Sequence, residues 1–141
     1  MKIVGLYQYP VKSLRGRALE TCAVDRNGLL DDRRWMVVDK AGKFQTIREY
    51  PVMAQINVET TADGLVLTHA TFGSATATRP KPDAGTLNVT VWKHTGEAQA
   101  GTLARPYFLS EVLGIYVELV YMGEQPPRAV NPEFCATGAY T

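Results

Sequence analysis

The 141 residues suit one domain with a real core. Fifteen basic against fourteen acidic side chains leave a net charge of +1, which excludes a dedicated nucleic-acid binder and makes any positive site a local one. The two cysteines, Cys22 and Cys135, match no metal spacing and are too few for a disulfide scaffold; with no signal-peptide core and no apolar run near the ~18 residues of a membrane span, the chain reads as soluble and cytoplasmic.

Lys2 to Tyr9 reads as a first strand with apolar residues on both faces, Ile3, Gly5, Tyr7 and Tyr9 against Val4 and Leu6, and Pro10, lacking an amide hydrogen, ends it. Leu19 to Asp25 reads as a second strand before the turn signal Asn27-Gly28. Arg33 to Asp39, rich in Trp, Met and Val, reads as a central strand; Asp39 to Gly42 turns it into Lys43–Thr46 as a hairpin. Gln55 to Thr61 and Leu65 to Thr68 form a further hairpin around Asp63-Gly64. Residues 73–85, small and polar with two prolines, suggest an edge strand or a loop. Leu87 to Lys93 alternates, and His94-Thr95-Gly96 turns it.

One helix is expected at 106–113, opened by Pro106, striped by Phe108, Leu109, Val112 and Leu113, and stopped by Gly114. Ile115 to Met122 is the last strand. Many short, mostly antiparallel strands with one late helix imply a mainly-β fold, a compact barrel over 1–122 followed by an irregular tail at 123–141.

Three segments bring cations and hydroxyls to strand ends. Lys12, Ser13 and Arg15 follow Pro10; Arg33 and Arg34 precede Trp35; Thr46 and Arg48 lie two apart. A lysine supplies a point charge, an arginine a planar fork and a serine a neutral donor, so convergence of the three would make an anion site. Each also reads as an ordinary solvated turn or as one half of a surface ion pair. Trp35 reads as core. His69 and His94 have no zinc-ligand spacing, no phosphate-binding glycine loop appears, and Cys135 reads as an unactivated thiol.

The series Tyr9-Pro10-Val11-Lys12-Ser13-Leu14-Arg15-Gly16, Gly28-Leu29, Asp32-Arg33-Arg34-Trp35 and Gly42-Lys43-Phe44-Gln45-Thr46-Ile47-Arg48 resembles the N-terminal β-barrel domain of MOSC proteins. That family includes the mitochondrial amidoxime-reducing component and the C-terminal part of molybdenum cofactor sulfurase. The resemblance implies a molybdenum cofactor, a pterin with a terminal phosphate, held in part by Lys12, Ser13 and Arg33. Arg15 and Arg48 are physically plausible additions, not inherited ones. In the family a second domain supplies the cysteine that binds molybdenum, and Cys135 does not match that position.

The expectation is therefore a stand-alone or truncated barrel with no catalytic or metal-binding residue of its own. It would contribute the phosphate and pterin half of a site, with a separate MOSC-domain chain or a redox partner, away from nucleic acid and membranes. The alternatives are a cofactor-dependent oxidoreductase of N-hydroxylated compounds, with Cys135 as ligand in an oligomer, and an anion-binding interaction module.

Overall fold

The structure is a computed structural model that describes residues 1–123. The expected tail lies, but for Gly123, outside the described residues, and so does Cys135.

The chain opens with two short ribbons. Tyr7–Gln8 (β1) pairs with Arg17–Ala18 (β2), and Val24–Asp25 (β3) with Gly28–Leu29 (β4). Trp35–Asp39 (β5) follows, then a 3-10 turn at Pro51–Gln55 and the strands Asn57–Thr60 (β6), Gly64–His69 (β7) and Gly73–Thr78 (β8). Thr86–Val91 (β9), His94–Ala100 (β10) and Thr102–Leu103 (β11) lead to the helix Phe108–Leu113 (α1) and the strand Val117–Tyr121 (β12). Two four-stranded antiparallel sheets result, in the orders β5-β12-β10-β9 and β11-β8-β7-β6.

The sequence reads β5 as a central strand; it lies at an edge of the first sheet, but it is covered on both faces, which is why it is apolar from Trp35 to Val38. Trp35 and Val37 join the main core, while Met36 and Val38 point the other way into a smaller one. A strand covered on both faces has to be apolar at successive positions, and Trp-Met-Val-Val is. The main core takes Val58, Leu65, Leu67, Ala75 and Ala77 from the second sheet and Phe108, Leu109, Val112 and Leu113 from α1. The small core gathers Phe44, Val89, Ala98 and Val120 behind the first sheet.

The mainly-β expectation holds, but the sheets do not close into a barrel. The two edges of the first sheet, β5 and β9, are spanned by residues 42–45, which make single bridges on either side: Val38 with Phe44 and Lys43 with Thr90. Gly42 is what lets the segment approach β9. It has φ +79°, and a Cβ there would fall 2.2 Å from the Asn88 carbonyl oxygen.

Other boundaries shift for identifiable reasons. Of the expected strand Lys2–Tyr9 only Tyr7–Gln8 is paired, and Ile3 and Val4 are exposed. The expected strand Leu19–Asp25 is interrupted, so that only its last two residues pair, in the ribbon with Gly28–Leu29. The helix starts at Phe108, not at 106, because Tyr107 is its N-cap; Gly114 stops it with φ +74° and an amide donating to Ser110 O at 2.8 Å. Residues 73–78 form an inner strand rather than an edge, and 94–100, expected to begin as a turn, form a full strand.

Candidate anion-binding site

The segment after β1 is stitched to the segment before β5. Arg33 N–H donates to Tyr9 O (2.7 Å), Trp35 N–H to Pro10 O (3.1 Å) and Lys12 N–H to Trp35 O (2.9 Å). Asp32 adds a side-chain tie, its Oδ1 accepting from Tyr9 N–H at 2.7 Å. Lys12 and Arg33 are thus fixed on neighbouring strands of backbone. Val11 through Leu14 then forms a turn closed by Leu14 N–H to Val11 O at 3.2 Å.

Four non-glycine residues among those described have positive φ, and three lie in these two segments: Ser13 (67°), Asp31 (60°) and Arg33 (51°). Each costs on the order of 1–3 kcal/mol and persists only where its surroundings enforce it, a pattern that concentrates at functional sites.

Lys12 is half-buried, and its ammonium sits 5.0 Å from the centroid of the Phe44 ring. Burial, then the charges of Arg33 and Arg48, hold its pKa below the ordinary lysine value. No carboxylate pairs with it among the described residues. Arg33 lies 5.6 Å from the Tyr9 ring centroid, and its Nη1 donates to Asp32 Oδ2 at 2.8 Å. Ser13 is half-buried, and its hydroxyl has no hydrogen-bond partner among the described residues.

Arg48 reaches the cluster from a turn, not from an extended strand. Glu49 and Tyr50 N–H both donate to Thr46 O, at 3.1 and 2.9 Å. Arg15 is exposed, its amide donating to Ile56 O at 3.2 Å, and it is not among the charges that act on Lys12. Of the sequence candidates, Lys12, Arg33 and Arg48 therefore share one electrostatic neighbourhood, Ser13 adjoins it in the chain, and Arg15 stands apart. Arg34 has a structural role: largely buried, it pairs with Asp25 at 3.1 Å.

A cleft of about 740 Å³ borders the cluster. Phe44, Thr46 and Arg48 line one side, and Thr90, Trp92 and His94 the other. Sequence reasoning missed the aromatic part of this region. Phe44 reads as a hairpin residue and Trp92 as one of an alternating series; an exposed-type turn Trp92-Lys93-His94 with a cation beside an aromatic was the available signal. His69, the other histidine, is buried and satisfied: its Nδ1 accepts from Thr71 N–H at 3.1 Å, which leaves Nε2 to donate to Gln55 Oε1 at 3.2 Å.

No cluster of three or more His, Cys, Asp or Glu suited to a metal occurs among the described residues. Cys22 is a free thiol beside the Ala23 and Leu30 carbonyls. No described helix is long and apolar enough to cross a membrane.

The family model for the MOSC N-terminal beta barrel domain matches residues 1–116. The chain belongs to that family. No curated protein matches it significantly. The solution structure of a Bordetella bronchiseptica protein, solved as a structural genomics target, is similar in fold: TM-score 0.52 at 16% identity, over 87% of this chain and 95% of that one. The anion cluster and the cleft both lie on this MOSC N-terminal domain, and every residue named in either falls within the matched range.

Proposed function

We propose that this MOSC N-terminal domain holds the phosphate end of a molybdenum cofactor, with Lys12, Ser13 and Arg33 as its contacts and Arg48 as a further cation. The observation that carries the reading is Lys12: a half-buried ammonium, repelled by two arginines and without a carboxylate partner among the described residues. Such a site is short of negative charge, and a phosphate dianion supplies it, accepting hydrogen bonds from an ammonium, a guanidinium fork and a hydroxyl at once.

The residues fit the phosphate of the group rather than its metal. The cofactor, when bound, supplies redox chemistry at molybdenum. This chain's own side chains bind and orient, and move no proton in the reaction. Asp32 holds Arg33 in place, and the Phe44 ring carries the Lys12 ammonium on its face. A cysteine ligand for the metal would come from a MOSC domain rather than from this N-terminal one, which by itself would be a non-catalytic half-site. Arg15, exposed and outside the cluster, would add only long-range attraction. A reducing, cytoplasmic setting agrees with the free Cys22 thiol.

The test is an amide-shift titration of labelled protein with pyrophosphate. Saturable shifts centred on Lys12, Ser13 and Arg33, lost in Lys12→Met, are the expected result. Shifts scattered over the surface, or unaffected by that substitution, would remove the reading.

A further inference from the structure

Trp92 is the fourth residue with positive φ, at 56°, and it is 64% exposed. It takes the first place of the two-residue loop between β9 and β10, whose flanking pair is Val91 with His94. Glycine is the residue that place favours, because a side chain at positive φ is strained. A large apolar ring kept there, in water and in a strained backbone, points to a use outside the fold's own packing.

Its surroundings say what use. The Trp92 ring meets Phe44 edge-on, with centroids 5.0 Å apart, and both rings line the cleft. Phe44 is also the ring beneath the Lys12 ammonium, and Arg48 both lines the cleft and acts on Lys12. The cleft and the cation cluster therefore adjoin, sharing Phe44 and Arg48. At about 740 Å³ the cleft falls within the usual range for small-molecule sites, roughly 300–1,000 Å³. Lys43, Arg48 and Lys93 give its rim positive charge; the acidic lining residue, Glu49, lies in an ion pair with Lys43 at 3.7 Å.

We infer that this cleft is the ring subsite of the anion site: it takes a planar heteroaromatic group carried on a phosphate, with Trp92 as the stacking face and Phe44 as the wall between ring and charge. The inference rests on the phosphate reading of Lys12 and Arg33 and adds the part of the ligand which that reading leaves unplaced. A phosphorylated pterin and a purine nucleotide share the required chemistry.

Three probes separate the possibilities: pyrophosphate, a phosphorylated pterin and guanosine monophosphate. Trp35 is buried, so a ligand-dependent change in tryptophan emission reports Trp92. The expected result is quenching by a phosphorylated ring but not by pyrophosphate, with the tighter of the two ring probes naming the source. Trp92→Gly, in a position that suits glycine, should keep or raise the melting temperature. It should weaken binding of the phosphorylated ring on the order of tenfold, the usual scale of one lost stacking contact, and leave pyrophosphate affinity unchanged; Trp92→Phe should retain most of the ring's contribution. Equal affinity for the ring probes and pyrophosphate, undiminished in Trp92→Gly, overturns the ring subsite. If pyrophosphate still shifts Lys12 and Arg33 in that case, the phosphate reading stands; if it does not, both fall.

Discussion

Lys12 carries a conflict that makes it measurable. Its pKa is lower in the folded chain than in the unfolded one, so the unfolded state binds the proton more tightly. The charged side chain therefore destabilises the fold throughout neutral pH. That cost is relieved as pH rises through the folded pKa toward the ordinary lysine value. Lys12→Met is expected to melt higher than the parent at pH 7, with the advantage shrinking toward pH 10. The parent alone should gain stability from added pyrophosphate, because a bound anion offsets the repulsion by Arg33 and Arg48. Thermal melts of both proteins over pH, with and without the anion, check the sign.

At this scale much of the site is readable in the sequence, because donors that end one strand and begin another have to come near one another when the strands pack. Lys12 and Arg33 meet for that reason, through the Tyr9–Arg33 and Lys12–Trp35 backbone bonds. The role of Phe44 is not readable, since a ring beneath an ammonium depends on which edge of β5 the 42–45 segment covers. Spacing alone places Arg15 beside Lys12, yet Arg15 is exposed and is not among the charges that act on Lys12.

Among the elements, legibility follows apolar alternation. β5, β7 and α1 are evident because their buried positions carry large side chains. β8 has only Ala75 and Ala77 buried, and β10 only Ala98, so the sequence leaves the first as an edge strand or a loop and does not show the second; register with β7 and β9 makes them strands. The opposite failure is the stretch 2–5, which is apolar enough for a strand but lies in none, while Leu6 O accepts from Leu19 N–H at 2.9 Å.

Gly42 is the element-scale test. Gly42→Ala should destabilise by at least about 1–3 kcal/mol from its backbone conformation alone, and more from the contact with the Asn88 carbonyl, which cannot rotate away as a side chain could. Urea unfolding would measure it, and Gly28→Ala, with φ +106° but open space around its Cβ, separates conformation from collision.

Across the whole molecule, two cores share β5 and β12 as a common wall. Val117 and Leu119 face the main core, and Val120 the small one. Phe108, fully buried, closes the main core from α1. Phe108→Ala is expected to cost about 3–5 kcal/mol, a large share of the roughly 5–15 kcal/mol typical of a domain. It should do so without altering pyrophosphate affinity under conditions where the variant is still folded. Calorimetric melting together with the amide-shift titration reads both quantities.

The single bridges at residues 42–45 have a consequence for how the molecule breathes. This seam, held by two backbone bonds on each side, is a place where the first sheet can open locally, and Lys43, Phe44, Thr46 and Arg48 sit on or beside it. A ligand spanning Lys12, Phe44 and Trp92 would lie across that seam like a clasp. Its occupancy should slow hydrogen exchange at Phe44 N–H, which donates to Thr90 O, and at Thr90 N–H, which donates to Gly42 O. Amides deep in the β7–β8 ladder should be protected only as far as global stability rises.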